Sequence, residues 1–556
     1  MKNNNGSFTT IAKILLFFII GSSAVSCSKF LEKKSKDVVF ESNFPKNYWD
    51  AEFMLRGVYQ SMQPLVDYKV VLGEMRADWV TPGPGADNDL TELAYHNVSN
   101  TNKYTDWQPF YQMINRANYA IKNIPRIPND SNYFNATIKA RYIAEARFLR
   151  AYGYFHLVQN FEKVPLIMSA VDDISKVDSL FKIAPAPENQ ILDSIEVDLK
   201  IAFRDCDIAG NVPNSFDAGF RTSNEQTYMR ARKQPAAGLL AEVYLWRNKY
   251  PEAVNICQQY FNLNNDNGVG GGGTTYFDIF RYGIDPAAIA IIFGENLFRV
   301  KFDFKARQTN DLMRLTSNDP RLGGRYMIAP SLKAMKTYNP YYPDSLPNNN
   351  LANEVLRGFG ASYVGGNYPY YNRLKDPNPV IWKFTGLDPV KADSINVPVR
   401  TRDPYASDYL FHVYRICDMY LLWAEAANRN GMPQTTIDRI NSVRTNRGMP
   451  AATVVNRAND TISNSSSVEK RELYILREKG LELGFEGRRW YDIMRMARHR
   501  GTPAAPDVNF LSQIVLSRIP DTDPRKAGVA AKLANSKNWY LPYNLEEVKL
   551  NPLLVK

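Results

Sequence analysis

The sequence is poor in the residues that most often announce chemistry. Four cysteines, Cys27, Cys206, Cys257 and Cys417, occur in 556 residues, with no CxxC pair. That excludes a disulfide framework; buried thiols are the expectation for the last three, with a single bridge among them as the alternative. The four histidines, His96, His156, His412 and His499, show no metal-ligand spacing, so no zinc site is expected. There is no Gly-x-Ser-x-Gly elbow, zincin helix or dinucleotide fingerprint, and catalysis and a cofactor therefore have no support in the sequence. Away from the N-terminus no apolar stretch approaches the roughly 20 residues that span a bilayer. The formal net charge is +11, yet the basic residues are dispersed in runs no longer than two. Dispersed charge describes a solvated surface and not a nucleic-acid grip; an acidic ligand, such as a uronic or sulfated glycan, stays open.

What is present begins at the N-terminus. Lys2 and Lys13 are positive, Ile11 to Ile20 is otherwise apolar, and small residues run from Gly21 to Ser26 before Cys27. This is a secretory signal whose last small run ends on a cysteine. Ala24-Val25-Ser26-Cys27 resembles a bacterial lipobox, with Ala24 where leucine is usual. Residues 1–26 are read as the signal, Cys27 as the lipidated residue and 27–45 as a polar tether. The chain is then anchored to a membrane without crossing it.

The body of the chain reads as mostly helical. Helical spacing appears over Asn47–Gln63, Trp107–Ile124, Lys139–Gln159 and Asn189–Phe203. In Pro235–Phe261, Leu240, Ala241, Tyr244, Tyr250 and Ala253 fall at the spacings of a tetratricopeptide unit, with Pro251 suited to the first turn of the second helix. Asp418–Asn446 gives another pair around the turn Gly431-Met432-Pro433. Between the pairs, residues 262–409 are loop-rich. They open on Gly268 to Gly273, read as a mobile loop and not a phosphate cradle. They contain a possible strand in Ala287–Lys301 and crowd tyrosine with proline at Tyr338–Pro343 and Tyr368–Tyr371. Three parts follow: 46–261 helical, 262–409 loop-rich and the expected ligand face, 410–556 helical. Glu478, Glu482 and Glu486 fall at i, i+4 and i+8 of one expected helix. A glycosidase needs two carboxylates flanking its substrate; a stack with Lys479, Arg488 and Arg489 nearby is instead a paired network. Asp87, Asp89 and Glu92 have the oxygen density of a calcium loop without its full pattern; a polar turn is the default and a structural calcium the alternative.

Several segments together resemble the SusD/RagB family. They are Cys27–Glu32, Trp107–Ile124 with Tyr111, Ile114, Asn115, Arg116, Ala117 and Asn118, Glu145–Tyr152 followed by Val164-Pro165-Leu166-Ile167, Asp319–Leu322, Tyr414–Ala426, Arg477–Asp492, and Leu541-Pro542 with Asn551-Pro552. They stand in the family's order along the whole mature chain. A glycine usual near Glu162 is missing, which alters one turn. The resemblance implies a degenerate tetratricopeptide-like superhelix with an irregular, loop-rich second subdomain packed on it. It also implies an outer-membrane lipoprotein facing the cell exterior, not an enzyme. The expected partner is a SusC-like TonB-dependent transporter, and the expected ligand a glycan or, in some branches, a peptide. A lipoprotein glycosidase and a purely protein-binding scaffold are the readings from other classes.

Sugar recognition needs flat apolar platforms beside polar groups that satisfy hydroxyls, because an unpaired buried polar group costs about 1–3 kcal/mol. Two loop regions offer both. One supplies Asp78, Trp79, Tyr95 and His96; the other supplies Tyr363, Asn367, Tyr368, Tyr370, Tyr371, Arg373 and Trp382.

Overall fold

Helices dominate the computed structural model, and they start and stop where the local chemistry dictates. The structure describes residues 44–130, 134–171, 182–208, 229–263, 276, 278–280, 295–303, 305–338, 357–358, 362–364, 378–386, 409–454 and 460–554. Those from Asn47 onward belong to one compact unit, to which all that follows refers. Cys27 and Gly268 to Gly273 lie outside the described residues.

Helix α1 (Tyr48–Gln60) starts at Asn47, whose side chain accepts from the Asp50 amide at 3.2 Å while Asp50 accepts from the Asn47 amide at 3.3 Å. This reciprocal box satisfies two amides with no helical partner. The apolar pattern suggests a helix running to Gln63. The chain instead breaks at Ser61-Met62 and restarts as α2 (Gln63–Glu74), with Pro64 in its first turn, where proline's missing N–H goes unnoticed. After β1 (Val80–Pro82) and the short α3 (Asn88–Ala94) come α4 (Gln108–Asn123), α5 (Ala136–Phe161) and α6 (Glu188–Asp205). Helix α5 packs against both α4 and α6. Its residues from Phe148 to Phe161 are all buried, as in a helix surrounded on every side. It ends at Glu162 with φ +65°. The resemblance places a glycine near this turn, and a residue with a side chain adopts such a backbone at a cost of order 1–3 kcal/mol.

The two expected helix pairs form. Helices α7 (Lys233–Trp246) and α8 (Tyr250–Asn262) pack on each other, with Pro251 in the first turn of α8 and Ala241, Tyr244 and Ala253 buried. Strand β2 (Asn296–Phe302) occupies the end of the expected Ala287–Lys301 strand. Then come β3 (Ile328–Pro330), α9 (Leu332–Tyr338), β4 (Tyr363–Val364), β5 (Val380–Ile381) and β6 (Tyr409–Arg415). The second pair is α10 (Ile416–Arg429) with α11 (Pro433–Arg444); Gly431 at φ +71° turns the chain between them. Helix α8 also packs on α10, so the pairs stack. Helices α12 (Val468–Leu483), α13 (Arg489–Arg500), α14 (Val508–Leu516) and α15 (Lys526–Leu533) complete the scaffold. The architecture is the mostly helical, tetratricopeptide-like one expected.

Small antiparallel ladders tie the loop-rich part to both helical parts. Strand β1 pairs with β3 from Val80↔Pro330 to Pro82↔Ile328, β2 pairs with β6 from Asn296↔Arg415 to Phe302↔Tyr409, and β4 pairs with β5. Cys206, Cys257 and Cys417 are separate buried thiols, so no bridge joins them. Among the described residues no helix is long and apolar enough to cross a membrane.

Candidate functional site

The first expected ligand loop is joined to described stretches of the loop-rich part. The amides of Gly83 and Gly85 donate to the carbonyls of Met327 (2.9 Å) and Tyr326 (3.1 Å), prolonging the β1–β3 pairing. Ser331 donates its amide to the Trp79 carbonyl at 2.9 Å and its hydroxyl to the Asp78 carbonyl at 2.6 Å. Tyr326 donates its hydroxyl to the Pro379 carbonyl at 2.7 Å. The stretch after α2 is thereby laced to the stretches around β3 and β5.

Several side chains expected to meet ligand face inward instead. Trp79 is 1% exposed. Its indole lies so close to Gly480 and Gly484 that a Cβ there would sit 2.3 Å and 2.6 Å from the ring; it is a core residue, not an open platform. Asp78 is buried in a two-pronged ion pair with Arg489, at 2.7 and 3.0 Å. His96 is buried, and its Nε2 lies 3.0 Å from the Arg76 carbonyl. Burial, with Arg518 and Arg76 nearby, pushes its pKa down to about 3, so it is a neutral structural imidazole. Trp382 belongs to a buried cluster with Tyr276, Phe280, Tyr326 and Val380. The aromatic and polar character that makes these four candidate ligand contacts serves equally in a core, and here the stretches that carry them cross the core. Tyr95 is half-buried; the Arg525 guanidinium covers one ring face at 3.7 Å, and its hydroxyl donates to Asp523 at 3.5 Å. The backbone of Tyr363 lies in β4; Asn367, Tyr368, Tyr370, Tyr371 and Arg373 lie outside the described residues.

The three carboxylates with calcium-like spacing are occupied by the turn itself. Asp87 caps α3 at the Leu90 amide (3.0 Å) and meets Lys103 at 2.7 Å. Asp89 accepts from the Lys103 amide at 3.3 Å, and Glu92 accepts from Ser99 and Asn102 at 2.9–3.0 Å. Among the described residues no group of three or more His, Cys, Asp or Glu is arranged to hold a metal.

The Glu478–Glu482–Glu486 stack is a buried ionic network, and its third member departs from the expected helix. Helix α12 ends at Leu483 and the chain turns through Gly484 and Gly487, the latter at φ +78°. Glu478 meets Arg357 and Arg444, each at 2.7 Å. Glu482 meets Arg357 (3.1 Å), Arg415 (3.0 Å) and Arg447 (2.8 Å). Glu486 meets Arg415 and Lys383, each at 2.8 Å. Glu295, at the start of β2, meets Arg447 at 2.6 Å. Burial alone raises a carboxyl pKa; here the guanidiniums prevail, holding Glu478 and Glu482 below the usual range, while Arg415 and Lys383 bring Glu486 to about 2. Carboxylates held ionised this firmly supply no general acid at neutral pH. Glu295, Arg357 and Lys383 come from the loop-rich part and Glu478, Glu482 and Glu486 from the helical scaffold, so the network fixes one on the other.

Beside this junction lies a cavity of about 730 Å³, within the range of small-ligand sites. Asp78, Trp79 and Arg489 form part of its wall; Leu332, Lys333, Lys336 and Thr337 of α9, Leu473, Leu476 and Arg477 of α12, and residues between Ile514 and Lys526 complete it. Leu332 and Leu473 are among the large apolar side chains left exposed. Both carboxylates of the lining are in ion pairs, Asp78 with Arg489 and Asp521 with Lys526 at 2.7 Å. Sequence reading reached only the Asp78-Trp79 edge, because the other walls come from segments far apart in the chain. The available signal was Lys333 and Lys336, three apart on one helix beside an exposed leucine. A second cavity of about 370 Å³ is walled by Trp107, Tyr111 and Ile114. Its asparagines hold backbone: Asn118 donates to the Ile167 and Ser169 carbonyls, Asn115 pairs with Val171, and Asn551 donates to the Ile183 carbonyl.

Comparison with known proteins covers nearly the whole chain. The family model described as the SusD family matches residues 240–556, and that described as starch-binding, associating with outer membrane, matches residues 29–245. A SusD-like protein of Formosa agariphila is 26% identical over 518 residues, spanning 90% of this chain and 94% of that protein. A SusD superfamily protein from Bacteroides vulgatus superposes with a TM-score of 0.66 at 18% identity, covering 91% of this chain and 98% of that one. A laminarin-binding SusD-like protein does so at 0.61 with 20% identity and the same coverage.

Proposed function

The chain belongs to the SusD family, and from that premise we propose that it is a cell-surface receptor that captures a glycan without altering it and passes it to a SusC-like TonB-dependent transporter. Lipidation at Cys27 anchors it to the outer membrane, facing outward. The supporting observation is that the likeness runs the length of the chain, through a model described as starch-binding and a structural neighbour that binds laminarin. The geometry agrees with binding and not turnover: the stacked glutamates are neutralised by arginines, and both carboxylates in the larger cavity's wall are in ion pairs. The rigid ionic junction suits a receptor whose recognition loops are held by a scaffold.

The test is binding of the full chain, solubilised in detergent, to an array of neutral glycans, acidic glycans and peptides, with products analysed afterwards. Selective glycan binding with no product is expected. Peptide binding with silence on every glycan overturns the reading in favour of a peptide receptor, and product formation in favour of a glycosidase.

A further inference from the structure

The larger cavity is not evenly charged. Its lining carries six basic residues, Lys333, Lys336, Arg477, Arg489, Arg518 and Lys526, against two acidic ones, Asp78 and Asp521. Arg489 is matched by Asp78 and Lys526 by Asp521, and no further acidic residue stands in the wall. Arg518 donates to the carbonyls of Val80, at 2.9 Å, and Ala94. Those contacts are with neutral groups, so they fix the guanidinium without cancelling its charge. Among the described residues its buried Nε–H has no hydrogen-bond partner. Burial lowers the Arg518 pKa only to about 10, and the group stays cationic at neutral pH.

Like charges gathered in a concave, partly apolar wall focus a positive potential and raise the local concentration of anions. The fold holds these groups near one another through the α9–α12 and α13–α14 packing, so their mutual repulsion is relieved when an anion enters. Arginine offers a planar fork that matches a carboxylate or sulfate, and lysine a compact charge. Leu332, Leu473, Leu476, Ile514 and Pro520 stand in the same wall and present apolar surface of the kind a pyranose face covers.

Resting on the glycan-receptor reading, we infer that this cavity is a subsite for the acidic residue of an anionic glycan, its sugar face lying on the leucines and its oxyanion on Lys333, Lys336 and Arg518. The dispersed positive charge of the sequence thus includes one concentrated site. A carboxylate from a uronic acid and a sulfate ester present the same oxyanion chemistry to these groups.

The test is calorimetric titration of the full chain in detergent with a neutral, a uronate and a sulfated oligosaccharide of similar length, in low and high salt. Two double variants accompany the parent: Lys333→Gln/Lys336→Gln in the cavity, and Lys305→Gln/Lys549→Gln, exposed positions outside its lining. Both remove the same charge, and circular dichroism confirms that each is folded. An acidic oligosaccharide is expected to bind the parent, to weaken steeply with salt, and to lose roughly tenfold or more in affinity in the cavity variant only. Whether the uronate or the sulfated arm responds identifies the oxyanion. Binding of neutral oligosaccharide alone, or equal loss in both variants, overturns the subsite and leaves the glycan receptor standing. Failure of all three saccharides to bind overturns both.

Discussion

Replacing Glu482 by glutamine tests the buried network most sharply. The carboxylate is fully buried and receives three guanidiniums, from Arg357, Arg415 and Arg447, at 2.8–3.1 Å. Four carboxylates there, Glu295, Glu478, Glu482 and Glu486, face five cations, Arg357, Arg415, Arg444, Arg447 and Lys383. Glutamine keeps the shape but removes one negative charge, and its NH₂ group points donors at donors. Breaking a buried pair by removing one partner costs about 3–5 kcal/mol, a large share of the roughly 5–15 kcal/mol by which folded proteins are stable. Urea unfolding followed by tryptophan fluorescence reads the loss as a lowered midpoint. The control Glu546→Gln breaks a 2.7 Å pair with Lys549 between exposed side chains, where at most about 1 kcal/mol is expected. A Glu482→Gln protein within about 1 kcal/mol of the parent, on the scale of that exposed pair, refutes the reasoning. Loss of a glycan-cleaving activity at unchanged stability would reassign Glu482 to catalysis.

The other predictions follow from the same packing. His96 and His412 are both brought to about 3, chiefly by burial, with Arg518 and Arg76 adding for the first and Arg299 and Arg415 for the second. A pKa depressed in the folded state means that their contribution is complete above the ordinary value near 6.5 and drains away as pH falls toward 3. From pH 7.5 to pH 5 the parent is therefore expected to lose urea midpoint relative to a His412→Gln variant; a difference between the two that stays constant with pH contradicts the assignment. Below pH 4.5 the network adds its own loss, as Glu486 protonates toward its folded value of about 2. Gly480→Ala drives a Cβ to 2.3 Å from the Trp79 ring; overpacking of this kind costs about 1–3 kcal/mol, read as a lowered midpoint with an altered fluorescence maximum. Cys206, Cys257 and Cys417 are buried and free, so peptide mapping after thiol labelling is expected to find them unlabelled in the native protein and all labelled in denaturant without reductant. Two thiols that stay unlabelled would reveal a bridge.

The helical half of the fold was legible because amphipathic spacing and punctuation agree: Tyr244 and Ala253 carry the period, while Pro251 and Gly431 mark the turns. The resemblance placed a glycine near Glu162, whose positive φ makes this turn one that a glycine suits. The site was less legible. Asp78, Trp79, His96 and Trp382 have the polarity and aromaticity of ligand contacts, and a sequence does not reveal that Arg489, Gly480, the Arg76 carbonyl and Tyr326 are what they meet. The glutamate stack was readable as a network, but its partners Arg357 and Lys383 lie a hundred residues and more away. The basic cavity draws on α9, α12 and the segment after α14, and no local pattern joins those segments.

The most direct test of the central claim is titration of the detergent-solubilised full chain with the glycan it selects, followed in one experiment by calorimetry for binding and by chromatography for products. The account predicts saturable binding with the glycan recovered intact. Cleaved glycan, or heat of binding seen only with peptides, contradicts it.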